Sequence, residues 1–308
     1  MNGSERFTAC AQRVVDHLNA HTELGDWSVS RMTQGEQVLV HVHRENIVEV
    51  GMRVDLEETF CDRMVHGAAR FVPDALEHPD YRDLPGAQQV RSYAGVPIPD
   101  GDGGLFGVLC GFGAEPKPGL RGVDPDLLEL LAALLSEQLA SSRELDRDRR
   151  QLEMAEALTH RDDLTGLLNR RGWDAVVADA QERIDAFGDL VGVVVLDLDG
   201  LKAVNDREGH QAGDALIRTV GAVLRDNVRA DDRAARYGGD EFAVLVENIP
   251  ASALERYCDR LDRAFERAGV SVSVGFVSVG PSVGLVNGFA AADREMYAVK
   301  RRKRLQLT

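Results

Sequence analysis

The apolar run VGVVVLDL, Val191 to Leu198, leads straight into DLDGLKAVNDREGHQAGD, Asp197 to Asp214. A second acidic pair, Asp240 and Glu241, follows two glycines in RYGGDEFAVLV, Arg236 to Val246. Carboxylates at the end of a buried strand are costly unless something offsets their charge. A hard divalent cation does so: Mg2+ prefers oxygen, takes one or two protein carboxylates, and leaves its other positions to water and phosphate. If the two strands pair side by side, Asp240 and Glu241 come close to Asp197. That set suits metal-assisted phosphoryl or nucleotidyl transfer, with metals about 3.5–4 Å apart where there are two. Taken singly, each acid has a plainer reading as a helix cap or a solvated turn. In that reading Gly238 and Gly239 supply φ > 0 at a β-hairpin.

The residues after Asp199 extend the chemistry. Gly200 lets backbone approach a phosphate and Lys202 can neutralise it. Asn205 and Asp214 can hydrogen-bond a base edge; a carboxylate accepts from the N1–H and N2–H2 of guanine, and adenine offers no such donor pair. The alternatives are a turn at Asn205 and a helix cap at Asp214. No Gly-rich loop ending in Lys-Ser/Thr occurs, which excludes a P-loop NTPase.

Three zones must position these groups. Up to about residue 122, strand-like runs (DWSVSRM, QVLVHVH, AGVPI, LFGVLCGFG) mix with helical stretches at Phe7 to Leu18 and Leu56 to Met64, and the turn PDGDGG predicts a hairpin. From Asp124 to about His160 one long helix is expected, opened by Asp124 and Pro125. Leu127, Leu130, Leu131, Leu134 and Leu135 give it an apolar stripe. Leu131, Leu145 and Leu152 share a heptad register that Gln138 interrupts. This reads as a two-stranded coiled-coil linker, with a helix packed on its own domain as the alternative. Beyond Asp163 helices (Trp173 to Phe187, GDALIRTVGAVLRDNV, Ala251 to Ala268, Phe289 to Arg304) alternate with apolar strands. The sheet is α/β, and its hairpin makes it at least partly antiparallel.

At 308 residues, 44% apolar and 28% charged, the chain is globular and long enough for two domains. A net charge of −15 argues against general affinity for nucleic acid or an anionic membrane, although KRRKR, Lys300 to Arg304, is locally basic. Cys10, Cys61, Cys110 and Cys258 have no metal-ligand spacing and read as small buried residues of a reducing compartment. Cys61 has a covalent or redox role as its alternative. His41, His43, His66 and His78 show no metal spacing either. With no apolar span and no signal segment, the expected location is cytoplasmic.

In order, DDLTGLLNRR (Asp162 to Arg171), DLDGLKAVNDREGHQAGD, RYGGDEF, VSVSVGF and ADREMYAVKRRKR (Ala292 to Arg304) resemble the signatures of a GGDEF diguanylate cyclase domain. The resemblance covers roughly the second half of the chain. It implies an α/β (α+β) domain related to the nucleotidyl-cyclase and polymerase palm, with a central mixed, largely antiparallel sheet. It also implies the joining of two GTP into cyclic di-GMP with loss of two pyrophosphates.

Residue by residue, the resemblance makes Asp197 and Asp240 ligands of Mg2+ or Mn2+, a pair of ions per half-site, with Glu241 close by and the Leu198 carbonyl a further ligand. Asp240 matches the position that deprotonates the attacking 3′-hydroxyl, assisted by Glu241 and Lys202. Leu201, Asn205, His210 and Asp214 match substrate positions. Lys202, Lys300 and Arg304 match phosphate-holding cations, the last two on one helical face. Leu201 stands where the family often has Phe, and Lys303 where it often has Gly; neither change removes a reacting group.

One domain carries one nucleotide's ligands, so the product requires two half-sites facing each other in a homodimer. Arg229 and Asp232, in the RADD that precedes the hairpin, match an inhibitory RxxD site for cyclic di-GMP. Residues Ser4 to about Leu120 resemble a GAF sensor domain, most visibly in ETFCDRMVHG and RSYAGVPIPDGDGGLFGVLCGFG. That implies a sandwich-like fold with a pocket for an unidentified small ligand, or a dimerisation module. The expected layout is a sensor at 1–123, a helical coiled-coil linker at 124–160 and a GGDEF domain at 161–308. The competing function is a non-catalytic receptor for GTP or cyclic di-GMP that signals through its coiled coil.

Overall fold

The computed structural model describes residues 2–306 other than 34, 44–46, 102, 158 and 159; the side chains of 150–157, 304 and 306 are outside the described set. The chain divides into two compact units, residues 1–149 with 185–188, and residues 150–184 with 189–308.

The first unit runs α1 (Gly3–His21), β1 (Asp26–Met32), β2 (Glu36–Val42), β3 (Arg53–Asp55), α2 (Phe60–Val65), β4 (Phe71–Val72), β5 (Ser92–Pro99), β6 (Leu105–Gly113) and α3 (Pro125–Ala157). Its strands make one antiparallel sheet in the order β3-β2-β1-β6-β5-β4. Period-two alternation divides the core: Ala94, Val96 and Ile98 of β5 pack with α1 and α3, whereas Tyr93 packs with α2 on the opposite face. The predicted hairpin joins β5 to β6. The single helix expected from Leu56 to Met64 is instead a short 3-10 turn, Leu56–Glu58, followed by α2. Thr59 divides them, its hydroxyl accepting from Asp62 N–H at the start of α2.

Asp124 caps α3 as expected, accepting from the N–H groups of Asp126 and Leu127. The seam that α3 buries is Leu128, Ala132, Leu135, Leu139, Ser142 and Asp146. Alternating steps of four and three keep those residues on one helical face, which lies against the helix's own unit. This seam is distinct from the Leu131–Leu145 register read for pairing of two helices; Leu145 is 41% exposed. Asp146 fixes the far end of the seam, accepting from Gly3 N–H at 2.9 Å and Ser4 Oγ–H at 2.7 Å where α1 begins. Leu152 lies outside the described side chains.

The second unit contains α4 (Arg170–Phe187), β7 (Val191–Leu198), α5 (Leu201–Glu208), α6 (His210–Asn227), β8 (Arg233–Arg236), β9 (Glu241–Glu247), α7 (Ala251–Arg267), β10 (Val272–Val279) and α8 (Gly284–Gln306). Its sheet, β10-β7-β9-β8, pairs antiparallel throughout, with one isolated parallel bridge from Leu168 to Ala235. Strand β7 is buried along its whole length and lies inside the sheet, as its unbroken apolar run requires. Val194, Leu196 and Leu198 face α6 and α7; Val191, Val193 and Val195 face α4 and α8. The last helix begins at Gly284, earlier than the expected Phe289. Helix α5 carries Lys202 and Asn205, where the sequence predicts phosphate and base contacts and offers a turn at Asn205 as the alternative.

Candidate active site

Strand parity aims the acids. Asp197 follows Val193 and Val195 on the α4–α8 face of β7, and Glu241 precedes Ala243 and Leu245 on the same face of β9. The two are direct cross-strand partners in the antiparallel register. Leu198 N–H donates to the Asp240 carbonyl at 2.9 Å, which holds the turn carrying Asp240 against the end of β7.

Among the described residues one basic group, Lys300, bonds to Asp197. Asp197 is 6% exposed and accepts from Lys300 Nζ of α8 at 2.5 Å. Burial pushes its carboxyl pKa up, Lys300 pulls the other way, and the charges of Asp240 and Asp199 add to the rise, leaving it above the usual range. Glu241 is also raised, by burial first and then by Asp240, Asp197 and Asp293. Asp197, Asp240 and Glu241 therefore form one mutually repelling cluster at the adjoining ends of β7 and β9.

Among the described residues no group of three His, Cys, Asp or Glu side chains is placed to hold a metal ion. Mg2+ does not require three, being held by one or two carboxylates with water and substrate phosphate completing its shell. The paired strand-end acids, with Asp197 and Glu241 raised, fit that open, hard-oxygen site.

The glycines of the hairpin play a different part from the expected one. Neither Gly238 nor Gly239 has positive φ. A Cβ at Gly238 would instead lie 2.3 Å from the Glu241 carboxylate and 3.1 Å from its Cβ, so a side chain there would displace the Glu241 carboxylate. Arg236 secures the same turn from outside. Its guanidinium donates to the Gly239 carbonyl at 2.8 and 3.1 Å and pairs with Asp162 of DDLTG at 3.2 Å. Sequence reading missed this tie, because only the fold brings the two motifs together.

Gly200, at φ 76°, turns the chain from the metal-side loop into α5. Lys202 is exposed on α5, and Leu201 packs partly into the core below it. Asn205 lies against Gly213 of α6, and its Oδ1 is buried with no hydrogen-bond partner. His210 is exposed at the first position of α6, with Asp214 half-buried one turn on. Arg304 lies on the backbone of α8, but its side chain is outside the described residues.

Asp199, the other strand-end acid, is bound into the scaffold: Ser271 and Ser273 each donate to it at 2.8 Å and Lys303 pairs with it at 3.2 Å. Lys303, the departure from the family pattern, also donates to the Val272 carbonyl at 2.5 Å and so ties α8 to the start of β10. In the RADD segment Arg229 is exposed, whereas Asp232 is 5% exposed and already accepts from Arg229 N–H, Glu247 N–H and the Tyr257 hydroxyl.

A profile described as "Diguanylate cyclase, GGDEF domain" matches residues 159–306, and one for the GAF domain matches residues 6–142. The chain belongs to the GGDEF diguanylate cyclase family, with a GAF domain ahead of the GGDEF domain. It is 36% identical over 194 residues to an uncharacterized protein in the hutH 5′ region of Streptomyces griseus, covering 60% of this chain and 77% of that one. It is also 36% identical to the diguanylate cyclase DgcS of Shewanella oneidensis, over 45% of this chain and 49% of DgcS, so it spans about half of that relative's length. Among solved structures, the coiled coil and GGDEF domain of DgcB from Caulobacter crescentus, in complex with c-di-GMP, is 30% identical. That match covers 55% of this chain and 95% of DgcB's, with a TM-score of 0.45. Among the described residues no helix is long and apolar enough to cross a membrane.

Proposed function

We propose that the protein condenses two GTP into cyclic di-GMP and two pyrophosphates, each half of a homodimer presenting one nucleotide. The observation that carries this reading is the convergence of Asp197, Asp240 and Glu241 at the adjoining ends of β7 and β9, with Lys300 against Asp197. Asp197, Asp240 and the Leu198 carbonyl would hold Mg2+ or Mn2+, with Glu241 beside them. When bound, the ion lowers the pKa of the attacking hydroxyl and offsets charge on the phosphoryl oxygens. A carboxylate oxygen of Asp240 takes the proton of the 3′-hydroxyl as that oxygen attacks the α-phosphorus of the facing nucleotide.

Lys300, Lys202 and Arg304 would hold phosphate oxygens, and His210 lines the substrate side. Asn205 Oδ1, buried without a partner, accepts from the guanine amino group, and Asp214 accepts from the N1–H edge. Two facing half-sites convert an encounter into a positioned reaction. The exposed Leu130, Leu134 and Leu145 of α3 support pairing of two such helices, and the GAF domain regulates that pose through an unidentified small ligand.

Product feedback is assigned to Arg229. Asp232 holds the segment and links it to α7 through Tyr257, over whose ring the Arg260 guanidinium lies at 4.9 Å. Arg229→Ala is expected to relieve inhibition by added cyclic di-GMP while leaving the uninhibited rate in place; unchanged inhibition rules the site out.

The test of the reaction is to incubate purified protein with GTP, ATP or both, plus Mg2+, and identify the products by mass. Cyclic di-GMP from GTP alone is expected. Untouched GTP at every protein concentration supports the receptor reading instead, and a mixed dinucleotide overturns the guanine assignment.

A further inference from the structure

Asp197 and Asp199 stand at the same end of β7 but are held differently. Asp197 accepts from Lys300. Asp199 accepts from Ser273 Oγ at 2.8 Å on one carboxylate oxygen, and from Ser271 Oγ at 2.8 Å and Lys303 Nζ at 3.2 Å on the other. Those donors fill three of the carboxylate's roughly four acceptor sites. Ser273 is fully buried and is the direct cross-strand partner of Asp197, so its hydroxyl reaches diagonally to the residue two places on. Lys303 also donates to the Val272 carbonyl, so one cluster joins the end of β7, the start of β10 and α8.

The backbone at Asp199 shows what this anchorage does. Val272 and Leu198 are the last registered pair of β10 and β7, and one step beyond it Asp199 N–H donates to the Ser271 carbonyl at 3.0 Å. The peptide between Leu198 and Asp199 is trans, which sets its C=O opposite its N–H. With the N–H bound on the β10 side, the Leu198 carbonyl points away from β10. On that side Leu198 N–H donates to the Asp240 carbonyl at 2.9 Å. The plane of this one peptide therefore decides whether the Leu198 carbonyl faces the turn that carries Asp240. Gly200 follows directly, in the left-handed region at φ 76°, and would let the peptide turn freely without the anchor.

We propose that Asp199 is a positioning residue for the cation site: bonded to Ser271 and Ser273, it fixes the Leu198 carbonyl toward Asp240 and does not itself ligate the ion. The inference rests on the proposed cation site and divides its acids by task, with Asp197 and Asp240 ligating and Asp199 orienting. Loss of a group that orients a metal ligand typically changes metal affinity about 10–100-fold. The serines separate orientation from charge, because replacing them loosens Asp199 and leaves every carboxylate in place.

The experiment titrates Mn2+ into full-length protein with a non-hydrolysable GTP analogue and follows it by paramagnetic resonance. It compares the wild type with Asp199→Ala, Ser271→Ala/Ser273→Ala and Lys303→Ala, thermal unfolding reporting the fold of each. Asp199→Ala is expected to weaken Mn2+ binding about 10–100-fold. The serine double variant, unchanged in charge, is expected to weaken it several-fold, and it decides the matter where Asp199→Ala does not fold. Where the double variant does not fold either, Ser271→Ala, at an exposed position, shifts affinity the same way. Lys303→Ala keeps both serine bonds and stays within a few-fold of the wild type. With GTP, the Mg2+ concentration giving half the maximal rate rises in Asp199→Ala and in the serine variants, while the rate at saturating Mg2+ stays within a few-fold. Wild-type affinity in the serine variants overturns the inference, since Asp199 then acts through its charge alone; so does a lowered rate at saturating Mg2+ with unchanged half-saturation. A wild-type protein that binds no Mn2+ removes the cation site itself, and this inference with it.

Discussion

Strands β7 and β9 carry acids at both ends of their shared register, Asp197 opposite Glu241 at one and Val191 opposite Glu247 at the other. The two ends are resolved in opposite ways. At the Glu247 end a buried guanidinium, Arg183, bonds to Glu247 at 2.6 and 2.8 Å, Asp179 at 3.1 Å and Asp189 at 3.3 Å. Burial disfavours its charge, but Glu247 and then the two aspartates outweigh that and hold its pKa above the ordinary value. At the Asp197 end three carboxylates crowd together, with Lys300 the one side-chain cation bonded to Asp197 and the pKa values of Asp197 and Glu241 raised. Each end sets three carboxylates against one side-chain cation. At one, Arg183 bonds all three acids and ties them together; at the other, Lys300 bonds Asp197 while burial and neighbouring carboxylates raise Asp197 and Glu241, an arrangement that a divalent cation would complete. Placing acids at a strand end is thus not by itself a functional signal. Acids that their cation does not bridge are.

Substitutions at the two ends should separate these roles. The largest expected effect is at the support: Arg183→Met leaves three acids without their cation and is expected to cost about 3–5 kcal/mol, read from denaturant midpoints. Asp240→Ala is expected to leave the midpoint nearly unchanged while lowering cyclic di-GMP formation by about a hundredfold or more. A destabilised Asp240→Ala protein, or a stable Arg183→Met one, would erase the distinction.

A smaller effect concerns pH. Asp197 and Glu241 titrate higher in the fold than in the unfolded chain, so the unfolded chain releases their protons first as pH rises. Metal-free stability should therefore fall through the window from the ordinary carboxylate range up to the raised values. Mg2+ binds the ionised acids, so its gain in Tm should be larger at about pH 8 than at about pH 4.5. Equal gains at both would place the ion elsewhere. The smallest effect is at Lys303→Ala, which loses a partly exposed pair with Asp199 and should cost less than about 1 kcal/mol, with activity within a few-fold.

Much of this arrangement was legible because it is local or periodic. The unbroken apolar run of β7 marks a central strand, the alternation in β5 assigns its faces, and the acids at the ends of β7 and β9 read directly as a cluster once the hairpin is paired beside β7. Helix α5 was not legible, since LKAVNDRE presents too few apolar residues for a stripe and is defined by Gly200 and by packing against α6. Long-range pairs were equally hidden: Arg236 with Asp162, Lys303 with Asp199 and Arg183 with Glu247 carry no spacing signal. The reading of Gly238 named the right residue with the wrong cause, because a tight side-chain approach and a positive φ both select glycine. The face that α3 buries within its own unit was not legible from its large residues alone, since that seam includes Ala132, Ser142 and Asp146.

The central claim is that the acids of one strand end share a cation, and Mn2+ binding tests it most directly. Paramagnetic resonance of Mn2+ added with a non-hydrolysable GTP analogue can be compared for the wild type, Asp197→Asn, Asp240→Asn and, at the opposite end, Glu247→Gln. The account predicts that bound Mn2+ is lost in the first two variants and retained in the third. Undiminished binding in Asp197→Asn and Asp240→Asn would contradict it.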